Sequence, residues 1–243
     1  MKNISATWEK RNLGVEVREI TCEGNEDPKD LKKAIDDINE PYSVLKIPCH
    51  CQDLLLCAQE GGYYFSETLF SLSCNLKNMQ IPPLYSRFLS KVRTLEATED
   101  IKYQVLQEIR EGAIYDTDRI ALDPHFSKKI AGERYYNWCK DVLAQGAIME
   151  AAYYNDKLTA FNVSIFKDKD RGILDGILGA VLPEAESRGL GFLVLYSEMQ
   201  TAERHGGKTI LGRVSSNNPS SLRLHLQFGY EIRNIDYVLI KHK

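Results

Sequence analysis

The sequence predicts an α/β protein in which a smaller N-terminal αβ module precedes a mixed, mainly antiparallel sheet flanked by helices. Two observations support this fold class. Strand-like apolar runs alternate with helical periodicity up to residue 76, and the later part contains three successive strands separated by polar turns. Between these two parts of the chain lies the segment "KNMQIPPLYSRF", where Pro82 and Pro83 interrupt all periodicity. We therefore expect a companion module over residues 1–88 and a second domain over residues 89–243.

The N-terminal module is predicted to alternate between strands and helices. The strand segments are rich in β-branched and aromatic residues, and the helix segments repeat apolar residues at helical spacing. The predicted strands are "VEVREITC" (15–22), "YSVLKIP" (42–48) and "YYFSETLFSLSCNL" (63–76), and the predicted helices are "DPKDLKKAIDDIN" (27–39) and "QDLLLCAQEGG" (52–62).

The second domain is predicted to begin with the strand "KVRTLEA" (91–97). Thr98 then caps a helix with an acidic first turn, and Ser127 caps a second helix after the irregular segment "YDTDRIALDPHF". Three strands follow, and the chain ends in the order helix, strand, helix, strand. The five predicted strands of this part are residues 147–154, 158–166, 172–182, 208–214 and 230–240.

Charge and hydropathy exclude several classes of function. The chain has 31 Lys and Arg residues against 34 Asp and Glu residues, so it has no strong positive field to hold DNA or RNA. No apolar run approaches the length that spans a membrane, and the N-terminus lacks the apolar core of a signal peptide. We therefore expect a cytoplasmic protein with no nucleic-acid or membrane partner.

The six cysteines do not form a disulfide framework in a chain of this length. Three of them cluster with a histidine in "CHCQDLLLC" (49–57), but this spacing lacks the paired C-x-x-C hooks of a tetrahedral zinc site. We interpret them as structural residues and expect no metal cofactor.

The segment "ESRGLG" (186–191) follows a strand that runs into Pro183 and opens a helix. Glycines let backbone N–H groups approach a phosphate, and a helix N-terminus adds a partial charge of about +0.5. The segment is not a P-loop, because no Gly-Lys-Ser/Thr follows, and Val194 stands where the dinucleotide fingerprint has its last glycine. An ordinary strand-to-helix turn is the alternative on this pattern alone.

Two motifs in the second domain resemble the GNAT superfamily of acyl-CoA-dependent N-acetyltransferases. Its signature Gln/Arg-x-x-Gly-x-Gly/Ala falls on residues 186–191, with Glu186 in the first position. The resemblance covers residues 91–243 and implies a GNAT-type sheet, acetyl-CoA as cosubstrate and a small primary amine as acceptor. The positions of its downstream motif Asn-x-x-Ala-x-x-Leu-Tyr-x-x-x-Gly-Phe are occupied here by Asn218, Ser221, Leu224, His225, Gly229 and Tyr230.

Over its whole length the chain is similar to the bimodular TDP-fucosamine acetyltransferase group. The likeness rests on "TWEKRNLGVEV", "TDRIALDPHFS", "ERYYNW" and "PEAESRGLG". It implies that the first module is a degenerate companion and that the acceptor is a nucleotide-linked amino sugar. The superfamily likeness also implies cofactor contacts along a strand edge, in the pyrophosphate loop and at one asparagine, namely Gly179, Ala180, Val181, Ser187, Arg188, Gly189, Leu190, Gly191, Phe192 and Asn218.

For catalysis, the resemblance implies that His225 protonates the departing thiolate, because it stands where the superfamily usually has tyrosine. A histidine on an apolar helix is otherwise more often a surface or core residue. Asp175 falls on a strand position used by some members as a base, and Glu150 lies on a neighbouring strand. Both are equally compatible with surface carboxylates, and water-relayed deprotonation needs neither. Direct transfer in a ternary complex is expected, because no cysteine lies in the motif.

Residues 115–126 are expected to form the acceptor side. Arg119 could bind a phosphate bidentately, and Phe126 or Tyr135 could stack a base or sugar. A surface ion pair and core aromatics are the alternative.

Two other functions stay open: a non-catalytic acyl-CoA-binding or protein-interaction module, and an acetyltransferase for an amino acid or peptide. The sequence also leaves open whether the chain forms an oligomer.

Overall fold

The computed structural model describes residues 1–112, 114–185 and 189–243. Within these residues, ten strands form one sheet. The strands are Lys2–Ser5 (β1), Val17–Thr21 (β2), Tyr42–Pro48 (β3), Tyr64–Asn75 (β4), Val92–Glu96 (β5), Ile148–Tyr154 (β6), Lys157–Asp168 (β7), Ile173–Val181 (β8), Thr209–Ser215 (β9) and Glu231–His242 (β10).

Most of the helices begin at a side-chain cap. The predicted caps Thr98 and Ser127 are confirmed, since each accepts a hydrogen bond from a backbone N–H of the first turn. No described helix has the length and apolar character needed to cross a bilayer. The α-helices are Thr7–Leu13 (α1), Pro28–Asp36 (α2), Gln52–Glu60 (α3), Pro83–Ser86 (α4), Glu99–Arg110 (α5), Arg119–Leu122 (α6), Lys128–Ala144 (α7), Phe192–His205 (α8) and Pro219–Gln227 (α9).

Four short elements were not predicted: β1, α1, α4 and α6. Each has too few residues for a helical or strand period to emerge from the sequence. Helix α1 ends at Gly14, whose φ of 74° allows a left-handed cap. Helix α6 begins at Asp118, whose side chain accepts from the backbone N–H of Ile120 at 2.7 Å.

The sheet confirms the predicted fold class, a mixed and mainly antiparallel sheet flanked by helices. Its strand order is β1-β2-β3-β10-β4-β9-β8-β7-β6-β5. Two neighbouring pairs are parallel, β2 with β3 and β8 with β9, and the other pairs are antiparallel. The C-terminal strand β10 lies between β3 and β4, so both predicted parts contribute strands to the same sheet. The division at residue 88 stays a prediction.

Alternate residues of the central strands face two separate cores. On β6 and β7, the paired residues Ala151 and Phe161 belong to the core beneath α5 and α7, while the adjacent pair Ala152 and Ala160 belongs to the core beneath α8. This follows from the two-residue side-chain period of a strand. The central sheet is therefore covered by helices on both faces.

Strands β8 and β9 separate after a short parallel ladder. In the described chain this ladder joins three residue pairs and ends at Asp175 and Leu211. Beyond that point β8 follows β7, and β9 follows β4. The register also shifts between Gly176 and Leu178, which makes Ile177 a bulge residue. The sheet thus has an opening between two strands that remain anchored on their outer sides.

Candidate active site

The edge of β8 that borders the opening contains the predicted cofactor-contact residues Gly179, Ala180 and Val181. Their partners on the opposite edge lie on β7. A side-chain carbon added at Gly179 would lie 2.5 Å from a methyl group of Val194, so glycine is required for α8 to pack this closely. The edge that faces the opening is consequently available, in extended conformation, to pair with an amide-bearing chain.

The N-terminus of α8 lies at the end of this strand. Gly189 has a φ of 70°, a left-handed conformation that favours glycine, and Gly191 directly precedes the helix. The side chains of Leu190 and Phe192 are buried in the core, so only the backbone of these two residues is available to a ligand. The predicted contacts Ser187 and Arg188, and the departure from the signature at Glu186, lie outside the described residues.

Asn218 caps α9, the helix that follows β9. Its side-chain oxygen accepts a hydrogen bond from the backbone N–H of Ser221 at 3.0 Å. Both residues line the cavity at the opening. The asparagine thus fixes the start of the helix that carries His225.

His225 lies near the point where β8 and β9 separate. Its Nδ1 atom is 2.8 Å from the carbonyl oxygen of Ser221, and its ring meets Tyr230 edge-on with centroids 4.9 Å apart. Burial lowers the pKa of His225, and the hydrogen bond to Ser221 acts in the opposite direction.

The structure places Asp175 at the last pair of the β8–β9 ladder, with 2% of the residue exposed. Lys167 approaches its carboxylate at 3.0 Å and Arg213 at 3.3 Å. The alternative base Glu150 is also buried and is held by Arg204 and by Thr201. Burial raises the pKa of Glu150, although the hydrogen bond from Arg204 opposes the rise.

A cavity of about 730 Å³ opens beside the separated strands. Its wall includes residues of β4, β8 and β9, together with residues of the helices α1, α6 and α7. Both predicted parts of the chain therefore form the same cavity. A volume of this size is typical of small-molecule sites.

Arg119 lines this cavity as a mostly buried cation. Its nearest carboxylate, Glu67, lies 3.8 Å from Nη1, and within the described chain its buried Nε atom has no hydrogen-bond partner. Burial alone would lower the pKa of Arg119, but nearby Tyr42, Asp118 and Glu67 outweigh this effect and leave it raised. Arg119 is thus a permanent positive charge at the wall of the cavity.

Phe126, the other predicted acceptor residue, is not among the described residues that line the cavity. It packs edge-on against Tyr42, with ring centroids 5.3 Å apart, and also contacts His242. Tyr135 does line the cavity, and its hydroxyl donates to Asp118 at 2.8 Å.

Several cavity residues were missed by the sequence analysis. Trp8 and Glu9 come from α1, and Glu67 comes from β4. Glu9 forms a bidentate ion pair with Arg134 of α7, with the shortest contact at 2.6 Å. Burial alone would raise the pKa of Glu9, but the charge and hydrogen bonds of Arg134 leave it lowered. No local pattern predicts these contacts, because the partners are far apart in sequence and meet only in the folded protein.

A buried polar cluster lies beneath the opening. Glu198 of α8 accepts a 2.5 Å hydrogen bond from the Tyr230 hydroxyl, and it lies so close to Gly176 that a side-chain carbon there would be 1.9 Å from its Oε1 atom. Burial raises the pKa of Glu198 to about 7. The sequence does contain a signal for this residue, because Glu198 shares a helix face with the buried Leu195 and Ala202.

One group of potential metal ligands occurs among the described residues: Asp123, His125 and His242. The buried Asp123 carboxylate is 2.9 Å from His125 Nδ1 and 2.7 Å from His242 Nε2, and the two imidazole rings stack with centroids 3.9 Å apart. These contacts satisfy the carboxylate within the protein and connect β10 to the segment between α6 and α7.

No family model matches the chain, and no curated protein matches its sequence. Solved structures do match its fold. The chain is similar to a GCN5-related N-acetyltransferase from Kribbella flavida, with a TM-score of 0.59 and 14% identity over 93% of this chain and 81% of that one.

Two further solved structures also match the fold of this chain at low sequence identity. A tandem GNAT protein of the clavulanic acid biosynthesis pathway has a TM-score of 0.54 and 10% identity, over 88% of this chain and 68% of that one. A glucosamine N-acetyltransferase region of a fungal β-N-acetylglucosaminidase has a TM-score of 0.58 and 12% identity, over 82% of this chain and 25% of that one. The chain therefore has the fold of the GCN5-related N-acetyltransferases.

Proposed function

We propose that this protein is an acetyl-CoA-dependent N-acetyltransferase that acts on a small primary amine by direct transfer in a ternary complex. One observation carries the proposal. Strand β8, which separates from β9 after Asp175, lines a cavity of about 730 Å³ with residues 176–179, and at Gly179 it packs against Val194 in the first turn of α8.

The cofactor is proposed to bind along this opening. The backbone of residues 189–192 and the N-terminus of α8 suit a pyrophosphate, because a helix N-terminus presents N–H groups and a partial positive charge. The edge at Gly179, Ala180 and Val181 suits the amides of a pantetheine arm, which can pair with an extended strand. Asn218 is proposed to contact the arm at the opposite side of the opening.

The chemistry requires an oxyanion donor, a base and an acid. The bulge at Ile177 is a place where a backbone N–H is directed away from the ladder, and we propose it as the oxyanion donor. Among the described residues, no cysteine lines the cavity, which supports direct transfer over an acetyl-enzyme. His225 is proposed as the acid, and Asp175 is the base that the sequence suggests.

For the acceptor, we propose a nucleotide-linked amino sugar. Arg119 provides a positive charge at the cavity wall for a phosphate, and the partly exposed indole rings of Trp8 and Trp138 line the same cavity beside it. The fungal glucosamine N-acetyltransferase region has the same fold, so an amino-sugar acceptor is compatible with this architecture.

The test combines cofactor binding with turnover. Calorimetry with acetyl-CoA measures binding, and thiol release with amino-sugar nucleotides, amino acids and peptides measures transfer. Release with sugar nucleotides and not with the other amines supports the proposal. Binding without thiol release from any amine would identify a non-catalytic acyl-CoA-binding module, and preference for amino acids or peptides would replace the acceptor.

A further inference from the structure

The backbone of α9 holds His225 in one tautomer. The carbonyl oxygen of Ser221 lies 2.8 Å from Nδ1 and can only accept a hydrogen bond. Nδ1 must therefore carry the hydrogen, and the neutral ring presents a lone pair at Nε2. In this state His225 accepts a proton and has none to give at Nε2.

Nε2 lies beside the point where β8 and β9 separate. A side-chain carbon added at Gly212 would be 3.6 Å from Nε2. Gly212 directly follows Leu211, the last β9 residue paired with β8. Ser221, one helical turn before His225, lines the cavity. His225 itself is not among the described residues that line the cavity, so its position rests on Gly212. The lone pair lies beside the separation of β8 and β9, where the proposed function requires the thioester.

Burial favours the neutral form of His225, and the polar groups packed nearby are directed to other partners. Tyr230 of β10 meets the ring edge-on, and Glu198 of α8 is occupied by the Tyr230 hydroxyl. Arg213 of β9 directs its guanidinium to a carboxylate on β8. Burial is the largest influence on the pKa of His225 and lowers it, against the smaller effect of the Ser221 hydrogen bond. The imidazole is therefore mostly neutral at pH 7.

The carboxylates near the opening already have partners. Asp175 is 3.0 Å from Lys167 and 3.3 Å from Arg213, and both cations stabilise its charge. Glu67 accepts a 2.5 Å hydrogen bond from Ser215. Within the described chain, the hydrogen-bond contacts of His225 are made by Nδ1, and its Nε2 lone pair has no partner.

Resting on the proposed acetyl transfer, we propose that His225 acts first as the base and then as the acid in one turnover. The amine nitrogen attacks the thioester carbon, and as the N–C bond forms a proton passes from nitrogen to Nε2. The C–S bond then breaks, and the imidazolium returns this proton to the sulfur. The products are the amide and the free thiol of coenzyme A, with no other proton donor required.

The pH dependence of kcat/KM for the amine separates this assignment from a purely acid role. An acid must be charged, so an acid role predicts that the rate falls as pH rises through the pKa of His225. A base must be neutral, so we expect the logarithm of the rate to rise with a slope of about two at low pH and about one above the pKa of His225, until the amine itself is neutral. His225→Gln cannot titrate and is expected to show only the slope of about one.

His205→Gln is the matched control, because His205 lies at the exposed end of α8, where it approaches Glu96 at 3.7 Å. The His205→Gln enzyme should keep the slope of about two at low pH. If the His225→Gln enzyme also shows the slope of about two at low pH, the assignment is overturned. It is likewise overturned if that slope is lost in Glu67→Gln and kept in His225→Gln. If the wild type transfers acetyl groups but its pH profile does not depend on His225, only this assignment is rejected. If the wild type transfers no acetyl group, the proposed function is rejected.

The tautomer can be measured without turnover. Nitrogen NMR of the wild-type protein should show hydrogen on Nδ1 of His225 and a lone pair on Nε2 near pH 7. The pKa of His225 measured in this way should match the pH at which the slope of the rate profile changes from about two to about one. Hydrogen on Nε2, or a pKa that does not match, overturns the assignment even if His225→Gln has no measurable activity.

Discussion

The hydroxyl of Tyr230 donates a 2.5 Å hydrogen bond to the Glu198 carboxylate, directly beneath the separation of β8 and β9. Glu198 is 3% exposed and lies on the buried face of α8, one helical turn from Leu195 and from Ala202. Burial raises its pKa to about 7, and the Tyr230 hydrogen bond offsets only part of the rise. The fold therefore contains a carboxyl group that changes charge near neutral pH inside its core.

Glu198 should make the protein less stable as pH rises. Its pKa is about 7 in the folded chain against an ordinary value of 4.5, so between these values the folded state binds more protons than the unfolded state. The stabilisation is complete below pH 4.5 and is lost as pH rises through 7. At about 1.4 kcal/mol per pKa unit, the loss amounts to about 3 kcal/mol.

Glu198→Gln is neutral at every pH and keeps an acceptor for Tyr230. We expect urea unfolding to show a flatter pH profile for this variant, and greater stability than the wild type above pH 7. Glu203→Gln, an exposed change on the same helix, is the control and should leave the profile unchanged. Identical profiles for Glu198→Gln and the wild type would contradict the raised pKa.

The fold class could be predicted from local sequence because the strand and helix periods are clear, and the glycines at 189 and 191 mark where α8 begins. The position of β10 between β3 and β4 could not be predicted, since no local pattern encodes pairing between the two ends of the chain. The same reason hides the pair formed by Glu9 and Arg134. Glu198 was missed for another reason, because a lone glutamate in a helix is usually exposed.

Arg134→Met should destabilise the fold strongly. The change leaves the buried Glu9 carboxylate without its bidentate partner, and breaking a buried pair in this way costs about 3 to 5 kcal/mol. The double variant Glu9→Met with Arg134→Met should recover most of the loss, because neither charge is left unpaired. Free energies of unfolding from urea titrations measure both changes.

The exposed pair of Lys32 and Asp36 on α2 provides the control for this experiment. Solvent screens its charges, so Lys32→Met should change stability by no more than about 0.5 kcal/mol. A cost for Arg134→Met as small as that of Lys32→Met would show that the Glu9 pair is solvated rather than buried.

Arg119→Lys should weaken binding of a phosphate-bearing acceptor. Lysine keeps the charge but loses the planar fork that binds a phosphate bidentately. We expect KM for a sugar nucleotide to rise about tenfold, equivalent to about 1.4 kcal/mol, with an unchanged Kd for acetyl-CoA. Steady-state kinetics and calorimetry measure the two quantities. An equal rise in KM for an amine without phosphate would contradict phosphate binding by Arg119.

Gly191→Val should weaken binding of acetyl-CoA without disturbing the fold. Among the described residues, a side-chain carbon at residue 191 meets Leu224 alone, at an ordinary contact distance of 3.9 Å, and the φ of −56° is accessible to valine. The added methyl groups would instead occupy the approach to the N-terminal N–H groups of α8, where the pyrophosphate is proposed to bind. We expect Kd for acetyl-CoA to rise at least tenfold, about 1.4 kcal/mol, with a melting temperature close to that of the wild type. Calorimetry and thermal unfolding give both values, and unchanged affinity in a folded Gly191→Val protein would mean that the pyrophosphate does not approach α8 at this residue.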